Sequence, residues 1–224
     1  PEDSLELGYA YYFIDNSSPL EEDHDYHRPS VTLNYWPVPG QYGSQAEVSF
    51  TRRYYEETED YNDVRGTLGL IRRLRPHLEF FAEYTHEMTE YLEEGADYQV
   101  YSPLVGFAWN EYAHSTIAAS FGYFFQDSDG AESESGPVGS IEAVYNWRER
   151  HSLSFLGDIG YTRTDEGAEN LGFTTFYSVT GALDYQLARR WISNFSVGYR
   201  RHIYTAENPD REDAVWTTSA GLAY

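Results

Sequence analysis

Seven histidines and 37 acidic side chains are the groups best suited to chemistry in these 224 residues. Cysteine is absent, so thiolate chemistry and disulfides are excluded. His24 and His27 sit in the run Glu21-Glu22-Asp23-His24-Asp25-Tyr26-His27. Glu21, Glu22, Asp23 and Asp25 there make a weak donor set for Ca²⁺ or Mg²⁺, although the same run also reads as a solvated acidic loop. His86 lies near Glu83 and Glu87, and His202 near Arg200 and Arg201. Each is either half of an acid–base pair or a satisfied rim residue. His77, His114 and His151 complete the seven. No serine occupies a Gly-x-Ser-x-Gly setting and no His-Glu-x-x-His occurs, so no catalytic residue is named and no enzyme is expected.

Composition narrows the class further. The chain carries 22 Tyr, 12 Phe and 5 Trp, too many large rings for a disordered acidic polymer despite a net charge of −22. All 15 basic residues are arginine. This charge repels phosphate backbones, so nucleic acid is not an expected partner. No run of 18 apolar residues occurs, which excludes a transmembrane helix. Pro1 opens the chain without a charged segment followed by an apolar one; any export signal is expected to have been removed or never present.

The elements that position these groups announce themselves by alternation with period two. Leu5, Leu7, Tyr9, Tyr11 and Phe13 alternate with Glu6, Gly8, Ala10 and Tyr12; Ile117, Ala119, Phe121, Tyr123 and Phe125 alternate with Ala118, Ser120 and Gly122. Twelve such segments are predicted, at about 4–14, 29–37, 45–55, 63–71, 77–87, 98–109, 115–126, 138–147, 152–163, 173–186, 190–203 and 214–224. No helix is predicted. Connections alternate too. Those at 15–28, 56–63, 87–97, 127–137, 164–170 and 205–213 are long and hold 26 of the 37 acids. The intervening turns are tight, and Arg72, Arg73, Arg75, Arg148, Arg150, Arg189 and Arg190 gather around them. An up-and-down antiparallel meander over residues 1–224, sorted by charge and loop length, follows.

Which face meets which solvent is decided by the polar side. It is rich in small residues such as Gly8, Ser49, Thr67, Gly69, Ser102, Gly106, Ser154 and Gly198, whereas a water-exposed outer surface would carry many lysines and glutamates. The pattern is that of a transmembrane barrel with apolar residues outward and a polar lumen. Tyr54, Tyr84, Trp109, Tyr123, Trp147, Tyr161, Tyr185, Trp191, Tyr199 and Trp216 are assigned to aromatic girdles at the headgroup level. Glu6, Glu47, Arg53, Arg65, Glu79, Glu83, Glu142, Asp158, Asp184 and Arg200 are assigned to the lumen, either as a cation-favouring ring or as an acid–arginine ladder that plugs it. An even strand count lets the first and last strands pair, so closure is expected. A soluble sandwich or barrel, with the rings packed in a dry core, is the competing architecture.

The hairpin unit Asp97-Tyr98-Gln99-Val100-Tyr101-Ser102-Pro103-Leu104-Val105-Gly106-Phe107-Ala108-Trp109, answered by Ser120-Phe121-Gly122-Tyr123, resembles those of Gram-negative outer-membrane β-barrels. It is similar in particular to the β-barrel porins that accompany exopolysaccharide secretion. Members of that group are longer, so the resemblance implies a short relative or a trimmed portion. The final Ala220, Leu222 and Tyr224 resemble part of a barrel-assembly signal, with Ala220 small, and the true terminus is expected there or a few residues beyond. The resemblance implies a place in the bacterial outer membrane, with short turns in the periplasm and acidic loops outside.

Three roles follow as expectations. The first is a channel for a saccharide or other small solute, or for polysaccharide export, selecting by lumen width and acidic field. The second is a plugged scaffold that anchors or houses a periplasmic or secretion-complex partner. The third is a rim-located hydrolase. Outer-membrane lipid and lipopolysaccharide are the expected surroundings, the latter bridged by divalent cations at the acidic loops.

Overall fold

A computed structural model describes residues 3–14, 24–55, 60–92, 97–111, 114–128, 133–148, 151–163, 173–204 and 211–223. Its twelve strands are β1 (Ser4–Ile14), β2 (His24–Val38), β3 (Tyr42–Tyr55), β4 (Tyr61–Arg75), β5 (Leu78–Tyr91), β6 (Tyr98–Glu111), β7 (Ser115–Ser128), β8 (Glu134–Arg148), β9 (His151–Arg163), β10 (Phe173–Ala188), β11 (Trp191–Tyr204) and β12 (Arg211–Ala223). They form one antiparallel sheet in sequence order. Each alternating segment of the sequence becomes one strand. Several strands run a few residues beyond the apolar pattern, most of all β2, which starts at His24 inside the stretch expected to be loop. Backbone ladders continue past the last apolar side chain because hydrogen bonding does not need one.

Tight turns join the strands at one end. The turn between β2 and β3 closes through a Gln41 N–H donating to the Val38 carbonyl at 3.0 Å. Gly40 sits there at φ +73°, a conformation that costs glycine nothing and most other residues a steric clash.

Register fixes the faces. Ser30 opposes Ser49, Thr67 opposes Thr85, Ser120 opposes Ser140 and Asp158 opposes Ser178, so these polar residues share one face. Tyr61, Val100, Phe124 and Tyr204 are buried on that same face, with Ser49, Thr51, Thr85, Thr89, Ser102 and Gln126. The other face carries large apolar side chains in the open: Leu7 is 78% exposed, Leu70 66%, Phe121 66% and Leu187 60%. The sheet curls toward its polar side, because Tyr161 on β9 reaches Glu87 on β5 and Ser102 on β6 across the interior. The inversion expected from the small-residue pattern is therefore present: polar groups within, apolar groups without. Among the described residues most large rings lie on the open face, with Tyr61, Phe124 and Tyr204 the buried exceptions within.

Closure differs from expectation. Among the described residues no ladder joins β1 to β12, which are the two edges of the sheet. β12 is exposed along almost its whole length, and Leu5, Leu7 and Tyr9 on β1 are open. An even count of strands permits the two edges to meet with the correct polarity, but meeting also needs a matched shear, which alternation does not encode.

Candidate functional site

The interior wall is built from strands whose inward residues are fixed by pairing. Arg65 lies opposite Glu87 on adjacent strands, and their side chains form an ion pair with Nη1 and Oε1 at 3.1 Å. The second carboxylate oxygen of Glu87 accepts from the Tyr161 hydroxyl at 3.3 Å, and that hydroxyl accepts from the Ser102 hydroxyl at 3.3 Å. Phe124, wholly buried, packs on the Tyr161 ring at 4.8 Å between centroids. Beside this bridge Thr89 donates to Asp63 at 3.1 Å. On the facing wall Ser178 donates to Asp158 at 3.3 Å, and the Arg200 guanidinium lies 4.4 Å from the centre of the Phe176 ring. Between the walls is a cavity of about 670 Å³, with Arg65, Glu87, Asp158, Tyr161, Phe176 and Arg200 in its lining. Its mixed lining, with charges of both signs, three aromatic rings and the apolar Val138, Leu156 and Ile159, can hold a hydrated or partly apolar solute.

The structure puts all ten assigned lumen charges on the polar face by register. Glu6 opposes Thr32, Glu47 opposes Thr67, Arg53 opposes Tyr61, Glu83 opposes Gly69, Glu142 opposes Leu156 and Asp184 opposes Ser152. Of the ten, Arg65, Asp158 and Arg200 meet around the cavity. Glu79 instead pairs with Arg73 at 3.1 Å, toward the tight turns. Asp184 accepts from Ser152 at 3.1 Å, and Arg53 lies over the Tyr26 and Tyr61 rings at 5.2 Å each. Glu87 and Asp63 were missed, although Glu87 shares the parity of Glu79 and Glu83 and was legible by continuing the alternation.

Nine of the ten girdle residues lie on the apolar face. Trp109, Trp147, Tyr185 and Trp191 stand at the tight-turn ends of their strands, and Tyr54 and Tyr123 near the opposite ends. Tyr84, Tyr199 and Trp216 lie further in, with Tyr199 and Trp216 in ring contact at 4.7 Å. Tyr161 is the correction. Its parity points outward, yet its hydroxyl is inside. The ladder between β8 and β9 has already ended at Gly139–Ile159, and the register partner of Tyr161 is Pro137, which has no N–H to offer. The ring turns inward where that ladder stops, its hydroxyl bonding to Glu87 and Ser102.

His86 and its two acids do not come together. Residues three apart and one apart on a strand point to opposite faces, so Glu83 and Glu87 face inward while His86 stacks on Tyr101 outside, at 4.7 Å. His202 faces inward beside Phe176 and Tyr204. Arg201 faces outward, where it donates to Tyr177 and pairs with Glu212. Glu21, Glu22 and Asp23 lie outside the described residues, as does most of the acidic loop sequence. Asp25 is described: it stands 3.8 Å from His27, which bonds the Tyr9 hydroxyl at 2.6 Å. Among the described residues no group of three or more His, Asp or Glu is arranged to hold a metal ion.

No family model matches the chain, and no curated protein does. Solved structures do. The FrpB iron transporter from Neisseria meningitidis (F3-3 variant) superposes on 90% of this chain with a TM-score of 0.53 at 10% identity. The match takes in 41% of the transporter, so the chain spans about two fifths of its length. The chain has the fold of outer-membrane β-barrels. That fold, with its apolar outer face, is one held by the bacterial outer membrane. The KdgM porin in complex with disordered oligogalacturonate matches over 91% of this chain and 95% of its own, with a TM-score of 0.41 and 10% identity. The CymD monoaromatic hydrocarbon channel matches over 100% and 79%, with 0.45 and 11%.

Proposed function

We propose that the chain is an outer-membrane channel, not an enzyme, passing small polar solutes along the inner face of its curled sheet. The cavity bounded by Arg65, Glu87, Asp158 and Arg200 carries this reading, because ionised groups facing one another across water make a selective passage. The Tyr161–Glu87 bridge crosses this passage and sets which solutes pass. A saccharide suits a lining that mixes rings with paired charges, and polysaccharide export, implied by the sequence resemblance, is the wider version of the same role. Acidic loops at the outer rim favour cations at the mouth and bind Ca²⁺ or Mg²⁺ bridged to lipopolysaccharide.

One observation favours the second reading, a plugged scaffold for a secretion-complex partner: hydrogen bonds that span the interior are what a plug would use. Planar-bilayer recording separates the two. The channel reading expects a steady cation-preferring current, and silence over many insertions would transfer the case to the scaffold.

A further inference from the structure

We propose that the tight-turn end carries a binding site for a lipid with two phosphates, diphosphatidylglycerol. Its headgroup sits between the β2–β3 and β4–β5 turns, and its acyl chains lie along the outside of β3. The site is apart from the interior cavity and stands whether or not the interior conducts.

The turns build the headgroup cavity. β4 runs on to Arg75, whereas its neighbour β3 starts at Tyr42, the register partner of Arg72. The β4–β5 hairpin therefore overhangs the β2–β3 turn, and Arg73 N–H ties the two by donating to the Gln41 carbonyl at 2.7 Å. At this step lies a cavity of about 620 Å³, with Tyr42, Arg72, Arg73, Leu74, Arg75 and Pro76 in its lining. None of the described residues lining it is acidic. Arg73 is taken up by Glu79 at 3.1 Å and lies 5.3 Å from the Trp36 ring. Arg72 lies 5.6 Å from the centre of the Tyr42 ring. Arg72 and Arg75 are exposed, and neither has a carboxylate partner among the described residues.

The apolar face supplies the second observation. Ser44 and Ala46 follow Tyr42 on that side of β3. Their cross-strand neighbours are large: Tyr35 and Leu70 flank Ser44, and Leu33 and Leu68 flank Ala46. All four are exposed while the small pair is half-buried, so Ser44 and Ala46 floor a furrow between two ridges. The furrow starts beside Tyr42 and Arg72 and runs to Val48. Ser44 to Val48 covers about 14 Å, close to the ~15 Å depth of one hydrocarbon leaflet. Chemistry then selects the lipid. Guanidinium groups bind phosphate in bidentate fashion, and basic cavities at a membrane rim take multiply charged headgroups. Two guanidinium groups without a carboxylate match two phosphates, where phosphatidylglycerol brings one. An acidic peptide would answer the arginines but not the furrow.

The test titrates the purified chain in neutral detergent with tetraoleoyl diphosphatidylglycerol, dioleoyl phosphatidylglycerol and inorganic pyrophosphate. Bound copies are counted by native mass spectrometry. One diphosphatidylglycerol is expected to be held about tenfold more tightly than phosphatidylglycerol. Arg72→Gln/Arg75→Gln is expected to abolish that preference and bring the two lipids level. Ser44→Trp, which fills the furrow and leaves the arginines, is expected to weaken diphosphatidylglycerol about tenfold and to leave pyrophosphate binding unchanged. Arg189→Gln/Arg190→Gln, at another tight turn, is expected to keep the original affinity. Equal binding of the two lipids by the unaltered chain overturns the proposal. So does a loss in Arg189→Gln/Arg190→Gln as large as that in Arg72→Gln/Arg75→Gln. If pyrophosphate displaces the lipid at equal concentration and Ser44→Trp has no effect, the cavity takes free phosphate and the lipid assignment falls. Displacement by a hexaglutamate peptide on the same terms transfers the cavity to an acidic protein segment and likewise overturns the lipid.

Discussion

Tyr161 shows how one side chain can set the width of a passage. Its hydroxyl links β9 to the Arg65–Glu87 pair and to Ser102, so walls distant in sequence are tied at a single oxygen. Removing it with Tyr161→Phe leaves the ring on Phe124 and breaks only the polar tie. Single-channel conductance is expected to rise, roughly twofold, in planar bilayers. Phe124 plays the complementary part. It is wholly buried against Tyr161, and Phe124→Ala is expected to cost about 3–5 kcal/mol of folding stability, read by urea titration in lipid vesicles. Gly122 constrains the same region, since a Cβ there would strike the backbone of Pro103 and Leu104 on β6. Gly122→Val is expected to disrupt the β6–β7 ladder, seen as lost amide protection at Leu104 and Val105.

At the scale of the strand, alternation assigns both solvent and side. Phe121 and Ser120 are neighbours in β7, yet one faces out and the other opposes Ser140 within. Phe121→Arg is expected to destabilise the barrel by about 2–4 kcal/mol, whereas Ser120→Arg is expected to shift ion selectivity with little loss of stability. Paired measurement of unfolding and reversal potential checks both. This same periodicity explains what was legible in the sequence. All twelve strands, and the inward parity of Glu6, Glu47, Glu142 and Asp184, follow from it because a strand has only two faces. Tyr161 did not follow, because its ring turns inward where the β8–β9 ladder stops. The His86 and Glu87 pairing misled for the converse reason: proximity along a strand places side chains on opposite sides. Which of the inward charges meet also stayed hidden, since that depends on how far the sheet curls.

For the molecule as a whole, the exposed apolar face governs behaviour outside a membrane. The purified protein is expected to need detergent, to precipitate on its removal, and to migrate faster on a gel unboiled than boiled. A monodisperse detergent-free sample would contradict the assignment of faces. The free edges at β1 and β12 were not foreseen, because the register between two ends of a chain is a property of the curl and not of any segment.

The early end of the β8–β9 ladder also bears on how the sheet comes apart. Under a pulling force, adjacent strands unzip where the fewest backbone bonds resist. The first tear is expected at this seam, dividing the sheet into an eight-strand and a four-strand flap, each still internally bonded.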